Sequence, residues 1–527
     1  MKKDYLKFEE GYFKKKWTGR IPIALVFPES YEIGMANLGF LTLYEGLNAF
    51  DEIVCERVFF DDKISSLESD RPLRDFPLIL FSIPFEGNYV KALQILLKSG
   101  ISLDPKERKE TVLGGGIALW ANPEPLSPFF DGFILGEWEA LEEKVIPLFI
   151  EYAFDKKRLL SELNKFDFFY APAHFGKKEV KILKILKPKK PLLSKVLSEK
   201  AEFGKSYLLE VSKGCGRACR FCLAGFIYRP PRFFSLETLL ERVKEIPENS
   251  KVGLIGLEFI DREEILVLGQ SLLQKKAILT FSSLRLDALR EDFFKLLKTT
   301  KSIAIAPETA SVKLKKVINK EIYEEEIFET LEKLKETSIR KIKFYFMLGL
   351  PFEEDEDILE TAEFIKRLLQ KRYPFNFTFG FSFFVPKPHT PFQWANFEEL
   401  SLLEKKKKLL LKGLSPVKRI KFESLRESLL QALLARGDRN IKGFLISLAK
   451  GKSLKEALKE IKNPEIYLKP QKEKDTPFPW DFIDTGVSKD FLYNEWERAL
   501  NGKPSPFCRI GKCKACSACK ELKIFSP

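Results

Sequence analysis

The sequence has 527 residues, of which 45% are hydrophobic, and a formal net charge of +14. This length is enough for about three or four domains, each with its own core. The charged stretch 1–6 lacks the apolar segment of a signal peptide, and no apolar run approaches the ~20 residues of a membrane span. We therefore expect a cytoplasmic protein with no membrane partner.

The positive charge permits an RNA partner, because clustered Lys and Arg residues release counterions from a phosphate backbone. Lys and Glu are both abundant, however, whereas the chain has only 2 His and 3 Met residues. That balance is also typical of the surface of a thermophilic protein. The charge alone therefore leaves an RNA substrate open without requiring one.

Residues 1–154 alternate strand-like apolar runs with helical stretches, which predicts a parallel sheet covered by helices. The predicted strands are 22–27, 54–60, 77–83, 111–113 and 132–135. Gly114, Gly115 and Gly116 directly follow the fourth strand. Open α/β sheets bind ligands at this edge, where glycine lets the backbone approach a ligand closely. The three glycines are therefore candidate cofactor-binding residues, and an ordinary turn is the alternative.

Residues 155–200 include Lys- and Pro-rich stretches such as 187–191, and they are predicted to form a linker with a hairpin. Residues 201–398 contain six further strand candidates, each separated from the next by a helical stretch. These strands are 207–211, 252–257, 277–281, 302–306, 341–347 and 377–384. Six β/α units make a partial barrel, and its active site should lie at the carboxyl ends of the strands.

Three cysteines follow the first barrel strand in a C-x3-C-x2-C spacing: Cys215, Cys219 and Cys222. One short loop with three thiolates is enough to hold three corners of a cubane iron–sulfur cluster, while the fourth iron stays open. A zinc site needs four ligands, and no fourth Cys or His lies nearby. Seven of the 8 cysteines fall in two tight clusters, which favours metal ligation over a disulfide framework.

The cysteine spacing, with Phe221 just before the last cysteine, resembles the cluster loop of the radical S-adenosylmethionine (SAM) superfamily. The resemblance implies a [4Fe-4S] cluster whose open iron binds SAM, and reductive cleavage of SAM to a 5′-deoxyadenosyl radical. It also implies a reducing partner such as flavodoxin or ferredoxin. Phe221 stands where the family packs an aromatic ring against the adenine.

Other residues resemble SAM-binding positions of the same superfamily. Glu308 lies in a stretch similar to the fourth-strand motif, although a helix start is its plain alternative. Gly349 and Pro351 resemble the fifth-strand G-x-P turn beneath the adenine. Arg285 ends the third strand and either meets the SAM carboxylate or forms a surface ion pair. The second-strand Gly-Gly-Glu motif is matched poorly, and the nearest stretch begins at Gly256.

The amino-terminal pattern resembles the cobalamin-binding-type domain that precedes many radical SAM barrels, and the stretch 31–39 is similar to a family of fused radical SAM proteins. Residues 1–154 contain no histidine, so the D-x-H-x-x-G motif that supplies the lower cobalt ligand elsewhere is absent. If cobalamin binds, it binds without a histidine ligand. The resemblance leaves the presence of cobalamin open.

His389 lies in the stretch 386–394, which resembles a motif that closes the barrel in the same fused family. A histidine there could relay a proton near neutral pH. A structural hydrogen bond that holds the loop is the alternative. The sequence offers no other candidate for a catalytic residue.

Residues 399–475 are Lys-rich and helical in period, and the run 405–408 is either a solvated helix face or an RNA-facing patch. The tail, 476–527, contains a second cysteine cluster with C-x4-C-x2-C-x2-C spacing, formed by Cys508, Cys513, Cys516 and Cys519. This spacing is close to a ferredoxin pattern. Four thiolates also satisfy zinc, so the tail predicts a second iron–sulfur cluster or a zinc ion.

These features predict an α/β protein with an N-terminal Rossmann-like parallel sheet domain, a partial (β/α)6 radical SAM barrel and a C-terminal helical region. The resemblance implies radical chemistry, with methyl transfer to an unactivated carbon as its leading outcome. Sulfur insertion or another modification of tRNA is one alternative. A non-catalytic iron–sulfur redox or scaffold protein is the other.

Overall fold

The computed structural model describes residues 4–259, 262–281, 289, 291–415, 417–469, 473–508, 510 and 515–520. Within these ranges, none of the helices has the length and apolar character that a membrane crossing requires. The strands, in chain order, are β1 Glu9–Glu10, β2 Ile21–Phe27, β3 Ile53–Phe59, β4 Leu78–Ser82, β5 Thr111–Gly115, β6 Gly132–Ile134, β7 Phe169–Tyr170, β8 Val180–Lys181, β9 Leu197–Ser198, β10 Tyr207–Glu210, β11 Ser212–Lys213, β12 Arg232–Phe233, β13 Lys251–Ile255, β14 Ile278–Phe281, β15 Ser302–Glu308, β16 Lys341–Leu348, β17 Asn376–Phe383, β18 Ile420–Phe422 and β19 Ile483–Asp484.

Helices are interspersed with these strands along the chain. In chain order they are α1 Tyr31–Gly34, α2 Leu38–Asn48, α3 Asn88–Lys98, α4 Ile117–Ala121, α5 Trp138–Tyr152, α6 Lys156–Leu163, α7 Pro172–Phe175, α8 Leu223–Ile227, α9 Leu236–Glu245, α10 Glu263–Gln274, α11 Val312–Ile318, α12 Glu324–Leu334, α13 Asp355–Gln370, α14 Leu400–Gly413, α15 Leu425–Arg436, α16 Lys442–Ala449, α17 Leu454–Ala457, α18 Glu465–Leu468 and α19 Lys489–Leu500.

The first sheet has the strand order β3-β2-β4-β5-β6-β7. Its first five strands pair in parallel, and β7 pairs antiparallel with β6. Strands β2 and β3 are buried along their whole length, as expected for strands with helices on both faces. This doubly wound order confirms the predicted Rossmann-like unit and places a ligand-binding crevice at the carboxyl ends of its strands.

The segment 155–200 does more than link two units. It forms α6 and then β7, which adds a sixth strand to the first sheet. Strand β9 pairs antiparallel with β1 near the amino terminus. Two-residue strands carry no periodicity that a sequence pattern can reveal, which is why the segment was predicted as a linker.

The second unit has two parallel sheets, β10-β13-β14 and β15-β16-β17-β18. The first six of these strands are those predicted for the partial barrel. Strand β18 is an addition: it pairs in parallel with β17 and lies in the region predicted as helical. No strand pairing joins β14 to β15 in the described part of the chain, so the barrel is open there.

One buried hydrophobic cluster runs from the first sheet through the barrel into the C-terminal helices. Polar contacts at the stretch 435–439 add to the packing of this cluster. The side-chain amide of Asn122 donates to the carbonyls of Ala435 and Gly437 at 3.1 and 2.7 Å. Arg439 pairs with the fully buried Glu124 at 3.0 Å. This stretch therefore joins the helical region to the amino-terminal unit.

Candidate cofactor site

The cysteine loop lies between β11 and α8, directly after the first barrel strand. Cys215, Cys219 and Cys222 take part in no disulfide bond among the described residues. Burial, followed by the nearby Glu258 carboxylate, holds the pKa of the Cys215 thiol well above its usual range. Burial, followed by the adjacent Cys219, raises the pKa of Cys222 to about 11. These thiols therefore need a strong positive charge, such as that of iron, in order to ionise near neutral pH.

Three neighbouring thiols fit an iron–sulfur cluster chemically. Within the described ranges, no group of three or more His, Cys, Asp or Glu side chains is already arranged as a metal site. The loop therefore provides the donor atoms, and the neighbouring residues that fix its backbone set their position.

Glu258 holds the amino-terminal half of the cysteine loop. Its carboxylate accepts hydrogen bonds from the amide of Gly216 at 2.7 Å and from Arg217 Nε at 2.6 Å. The Cys215 thiol donates to the same carboxylate at 3.6 Å. Glu258 is only 7% exposed, so these charge-assisted bonds form in a dry setting. The sequence placed this stretch at the end of the second barrel strand but gave no sign of its contact with the loop.

Arg220 holds the other half of the loop and is fully buried. Its guanidinium donates to the carbonyls of Lys316 and Val317, both at 2.9 Å, and to the carbonyl of Lys503 at 2.6 Å. It also pairs with Glu495 at 3.4 Å. One side chain thus ties the cysteine loop to the end of α11 and to the C-terminal tail.

Asn319 ends α11 in a left-handed conformation, with φ of 54°. Its side-chain amide donates to the carbonyls of Arg217 and Ala218 at 3.2 and 3.1 Å. The side-chain Oδ1 of Asn319 accepts a hydrogen bond from the backbone amide of Ser505 at 2.8 Å. Glu258, Arg220 and Asn319 therefore all hold the cysteine loop in place.

Two predicted SAM-binding residues come together beside the cysteines. Glu308 stands at the carboxyl end of β15 and pairs with Lys320 at 2.7 Å. The Lys320 ammonium lies 5.9 Å from the centre of the Phe221 ring. Phe221 itself is partly buried against an apolar cluster that includes Leu350. No sequence motif pointed to Lys320 as the partner of Glu308, because Lys320 lies on a separate turn after α11.

The predicted G-x-P turn follows β16. Gly349 has φ of 78°, and an added Cβ would lie 2.6 Å from Leu403 Cδ2, so glycine is needed for the backbone itself. Its amide donates to Glu353 Oε2 at 2.7 Å, and Pro351 is buried. The turn thus lies at the strand edge beside Glu308. Arg285 lies outside the described residues.

A cavity of about 590 Å³ lies between the carboxyl edge of the first sheet and the start of the barrel. Its lining includes Gly114, Gly115 and Gly116 on one side and Glu210, Ser212, Lys213, Gly214 and Gly256 on the other. Gly116 has φ of 112°, and an added Cβ would lie 2.4 Å from the carbonyl oxygen of Ile83. The glycine run therefore lets the chain turn tightly at the cavity edge, and Gly256 packs closely against Ser212.

Charged groups gather at one end of this cavity. The Lys213 ammonium bridges Glu139 at 2.8 Å and Glu210 at 2.9 Å. Burial, only partly offset by Lys213, raises the pKa of Glu210 to about 7. Within the described residues, Glu210 Oε2 and Ser212 Oγ are buried without a hydrogen-bond partner. An unpaired buried polar atom costs about 1–3 kcal/mol, so this wall is suited to a ligand that carries hydrogen-bonding groups.

Neither histidine of the chain lines the cavity. His174 lies 2.9 Å from Asp131. Burial lowers the pKa of His389 to about 3, so its ring is neutral near pH 7. Gln393 Oε1 accepts hydrogen bonds from the His389 amide at 3.0 Å and from Trp480 Nε1 at 2.9 Å. The hydrogen bond to Gln393 comes from the His389 backbone, and within the described residues the ring Nε2 is buried without a hydrogen-bond partner. A catalytic role for His389 stays a prediction.

Three of the four tail cysteines, Cys508, Cys516 and Cys519, lie within the described residues. The Cys508 amide donates to the carbonyl of Gly216 at 2.9 Å, directly beside the cysteine loop. The Cys516 carbonyl accepts from the amide of Ser488, and Cys519 is buried. Cys513 lies outside the described residues. A metal at the four tail cysteines stays a prediction.

The lysine run at 405–408 is partly neutralised. Lys406 is buried and pairs with Glu353 at 3.1 Å and with Glu398 at 2.8 Å. Lys405 lies 3.5 Å from Asp355 at the exposed surface. The run therefore contributes to the packing of α14 on α13, and only part of it is a solvated face.

Comparison with known proteins gives matches over both units. The description "Radical SAM proteins, N-terminal" matches residues 39–172, and "Radical SAM superfamily" matches residues 209–365. An uncharacterized protein of Methanocaldococcus jannaschii is 31% identical over 456 residues, which are 85% of this chain and 95% of that protein. The ribosomal protein uS12 methylthiotransferase RimO of Caldanaerobacter subterraneus subsp. tengcongensis is 26% identical over 180 residues, 31% of this chain and 41% of its own length.

A solved structure has a similar fold. It is the radical SAM methyltransferase TsrM from Kitasatospora setae, with cobalamin and a [4Fe-4S] cluster bound. The superposition covers 85% of this chain and 99% of TsrM, with a TM-score of 0.51 at 12% sequence identity. At this identity, the similarity concerns the fold.

Proposed function

The chain belongs to the radical SAM superfamily, and from this premise we propose that it is an enzyme that cleaves SAM reductively. The observation that carries the proposal is the loop of Cys215, Cys219 and Cys222 at the carboxyl end of the first barrel strand. These three thiolates would hold a [4Fe-4S] cluster and leave one iron for SAM. Family membership supports both cofactors.

When bound at these cysteines, the cluster would supply one electron, received from a reducing protein such as flavodoxin or ferredoxin, for the reductive cleavage of SAM. The protein binds and orients the reactants and excludes water. Arg220, Glu258 and Asn319 fix the cysteine loop. We assign Glu308 and Lys320, beside Phe221, to the polar groups of SAM.

We propose methyl transfer as the outcome, with cobalamin in the cavity. The cavity volume of about 590 Å³ lies within the range of about 300–1,000 Å³ for small-molecule and cofactor sites. The glycine edge at Gly114–Gly116 and the unpaired polar atoms of Glu210 and Ser212 suit a large ligand with polar side groups. The fold shared with a cobalamin-bound methyltransferase supports this assignment. Cobalamin would bind here without a histidine ligand from this chain.

Sulfur insertion is the second candidate, with tRNA as substrate. Its support is the sequence similarity to the threonylcarbamoyladenosine tRNA methylthiotransferase MtaB of Aquifex aeolicus, which is 24% identical over 174 residues, 30% of this chain and 42% of its own length. The tail cysteines would then hold a second cluster. A non-catalytic redox or scaffold role is the third reading, and SAM cleavage separates it from the other two.

The test is product analysis on anaerobically reconstituted protein with SAM, dithionite and hydroxocobalamin. We expect 5′-deoxyadenosine from the wild type and none from Cys219→Ala. Formation of S-adenosylhomocysteine only when cobalamin is present supports methyl transfer. A wild-type protein with a full cluster that forms no 5′-deoxyadenosine would contradict the proposal and favour the redox or scaffold reading.

A further inference from the structure

The C-terminal tail covers the cysteine loop from outside. We define the strap as residues 501–508, which follow α19. The Cys508 amide bonds to the Gly216 carbonyl at 2.9 Å, and Gly216 is the residue after Cys215. The Phe507 ring lies 3.1 Å from the position that a Cβ on Gly216 would take. The strap is thus in van der Waals contact with the residue next to a proposed cluster ligand.

The strap is firmly attached to this loop. Arg220 donates to the Lys503 carbonyl at 2.6 Å and to Ser505 Oγ at 2.7 Å. The Ser505 amide donates to Asn319, which also binds the loop carbonyls. Hydrogen bonds from a charged donor are shorter and stronger than those between neutral groups. The strap therefore holds a fixed position relative to the cysteines.

Its outer face is both apolar and basic. The Phe507 side chain is 48% exposed although it touches the loop, and its ring lies 5.1 Å from the Arg217 guanidinium. Lys503 is exposed. The chain as a whole has a formal net charge of +14. An exposed aromatic ring on the same short segment as an exposed lysine, in a chain with an excess of positive charge, favours an acidic protein partner.

We propose that the strap is the docking surface for the acidic one-electron donor that reduces the cluster. This inference rests on the proposed function, because it assigns the entry point of the electron to the same cysteine loop. Electron tunnelling weakens steeply with distance, and a donor seated on Phe507 and Lys503 would be separated from Cys215 by little more than the strap itself. In the step, the donor loses one electron and the cluster gains it.

The charge pattern should also control how fast the donor arrives. Opposite charges on two proteins accelerate their association, and added salt screens this effect. At 0.15 M ionic strength the screening length is about 8 Å. The reduction rate should therefore fall as salt rises, whereas reduction by a small reagent should depend much less on the strap.

The test measures cluster reduction in full-length, cluster-loaded protein by anaerobic stopped flow. The two reductants are reduced flavodoxin and dithionite. The variants are Lys503→Glu and Phe507→Ser, and Lys157→Glu on the exposed surface of α6 is the matched charge control. Cluster content is measured for every variant, so that rates are compared per cluster.

We expect both strap variants to lower the second-order rate with flavodoxin at least fivefold at low salt, and Lys503→Glu to flatten its salt dependence. Reduction by dithionite and the Lys157→Glu control should match the wild type. Equal flavodoxin rates in all four proteins would overturn the proposal. If instead Lys503→Glu weakens the binding of a tRNA pool while flavodoxin rates stay unchanged, the surface binds RNA and the proposal is wrong. Because the readout is cluster reduction, loss of SAM cleavage alone would contradict the proposed function and not this inference.

Discussion

The cysteine loop and the cavity beside it are built from neighbouring stretches of the chain. They differ in how many of their buried polar groups have a hydrogen-bond partner. In the loop, buried Arg220 and Glu258 each make several short hydrogen bonds or ion pairs. At the charged end of the cavity, Glu210 and Ser212 each keep an unpaired buried oxygen. The protein therefore fixes the atoms that would hold a cluster, whereas it leaves the cavity wall incomplete until a ligand binds.

The largest effect on stability should come from the cysteine loop, whose buried charged side chains are paired. Arg220→Met removes a fully buried guanidinium from Glu495 and from the carbonyls of Lys316 and Val317, although Glu495 keeps its contact with Ser505. We expect a loss of about 3–5 kcal/mol in the free energy of unfolding, measured by urea denaturation. The exposed Arg74→Met should change it by less than about 0.5 kcal/mol. Similar losses of unfolding free energy in the two variants would show that Arg220 does not hold the cysteine loop in place.

The glycine edge of the cavity allows a paired test. Gly116→Ala forces a positive φ on alanine and brings its Cβ to 2.4 Å from a backbone oxygen, so we expect a loss of about 1–3 kcal/mol. At Gly115 the nearest atom to an added Cβ is 3.4 Å away, and Gly115→Ala should retain stability. We expect hydroxocobalamin, followed by visible absorbance, to bind more weakly to Gly116→Ala. Equal stability of the two variants would contradict the close packing at Gly116.

The cavity wall should make stability depend on pH. Because burial raises the pKa of Glu210 to about 7, its protonated form stabilises the fold, and this contribution is lost as pH rises from about 4.5 to about 7. Glu210→Gln does not titrate, so we expect the fall in unfolding free energy between pH 5 and pH 8 to shrink by about 1–3 kcal/mol. The exposed Glu143→Gln serves as the control. An unchanged pH dependence in Glu210→Gln would mean that this carboxyl is already ionised at pH 5.

The smallest effect should come from the basic surface. Lys405→Ala removes only an exposed pair with Asp355 at 3.5 Å, and the unfolding free energy should change by about 0–1 kcal/mol. Lys406→Met, one residue later, leaves Glu353 and Glu398 without their buried partner and should cost clearly more. Equal costs in the two variants would mean that the lysine run acts as a single solvated face.

The fold was largely predictable because its strands are local apolar runs. All five strands of the first parallel sheet and six barrel strands followed from such runs. Strands β7 and β18 were missed since two or three residues carry no period, and β18 lies in a Lys-rich stretch. The cysteine loop was predictable for the same local reason, because three thiols within eight residues define their own spacing.

The support around the cysteines was not predictable from local patterns. Arg220 looks like an ordinary basic residue in the sequence, and its partners lie 96 to 285 residues away. Glu258 and Lys320 likewise act on a loop that is distant in sequence. His389 shows the opposite case: its motif suggested chemistry near neutral pH, whereas burial lowers the pKa of its ring to about 3 and so keeps the ring neutral there.

The measurement that tests the central claim most directly is anaerobic electron paramagnetic resonance of the reduced protein, with and without SAM. It compares the wild type with a Cys215→Ala, Cys219→Ala and Cys222→Ala triple variant, alongside iron and sulfide quantification. We predict a [4Fe-4S] signal that SAM perturbs in the wild type and that the triple variant lacks. Any cluster that persists in the variant would then belong to the tail cysteines. A wild-type cluster signal that SAM leaves unchanged would contradict the claim that this loop presents an open iron to SAM.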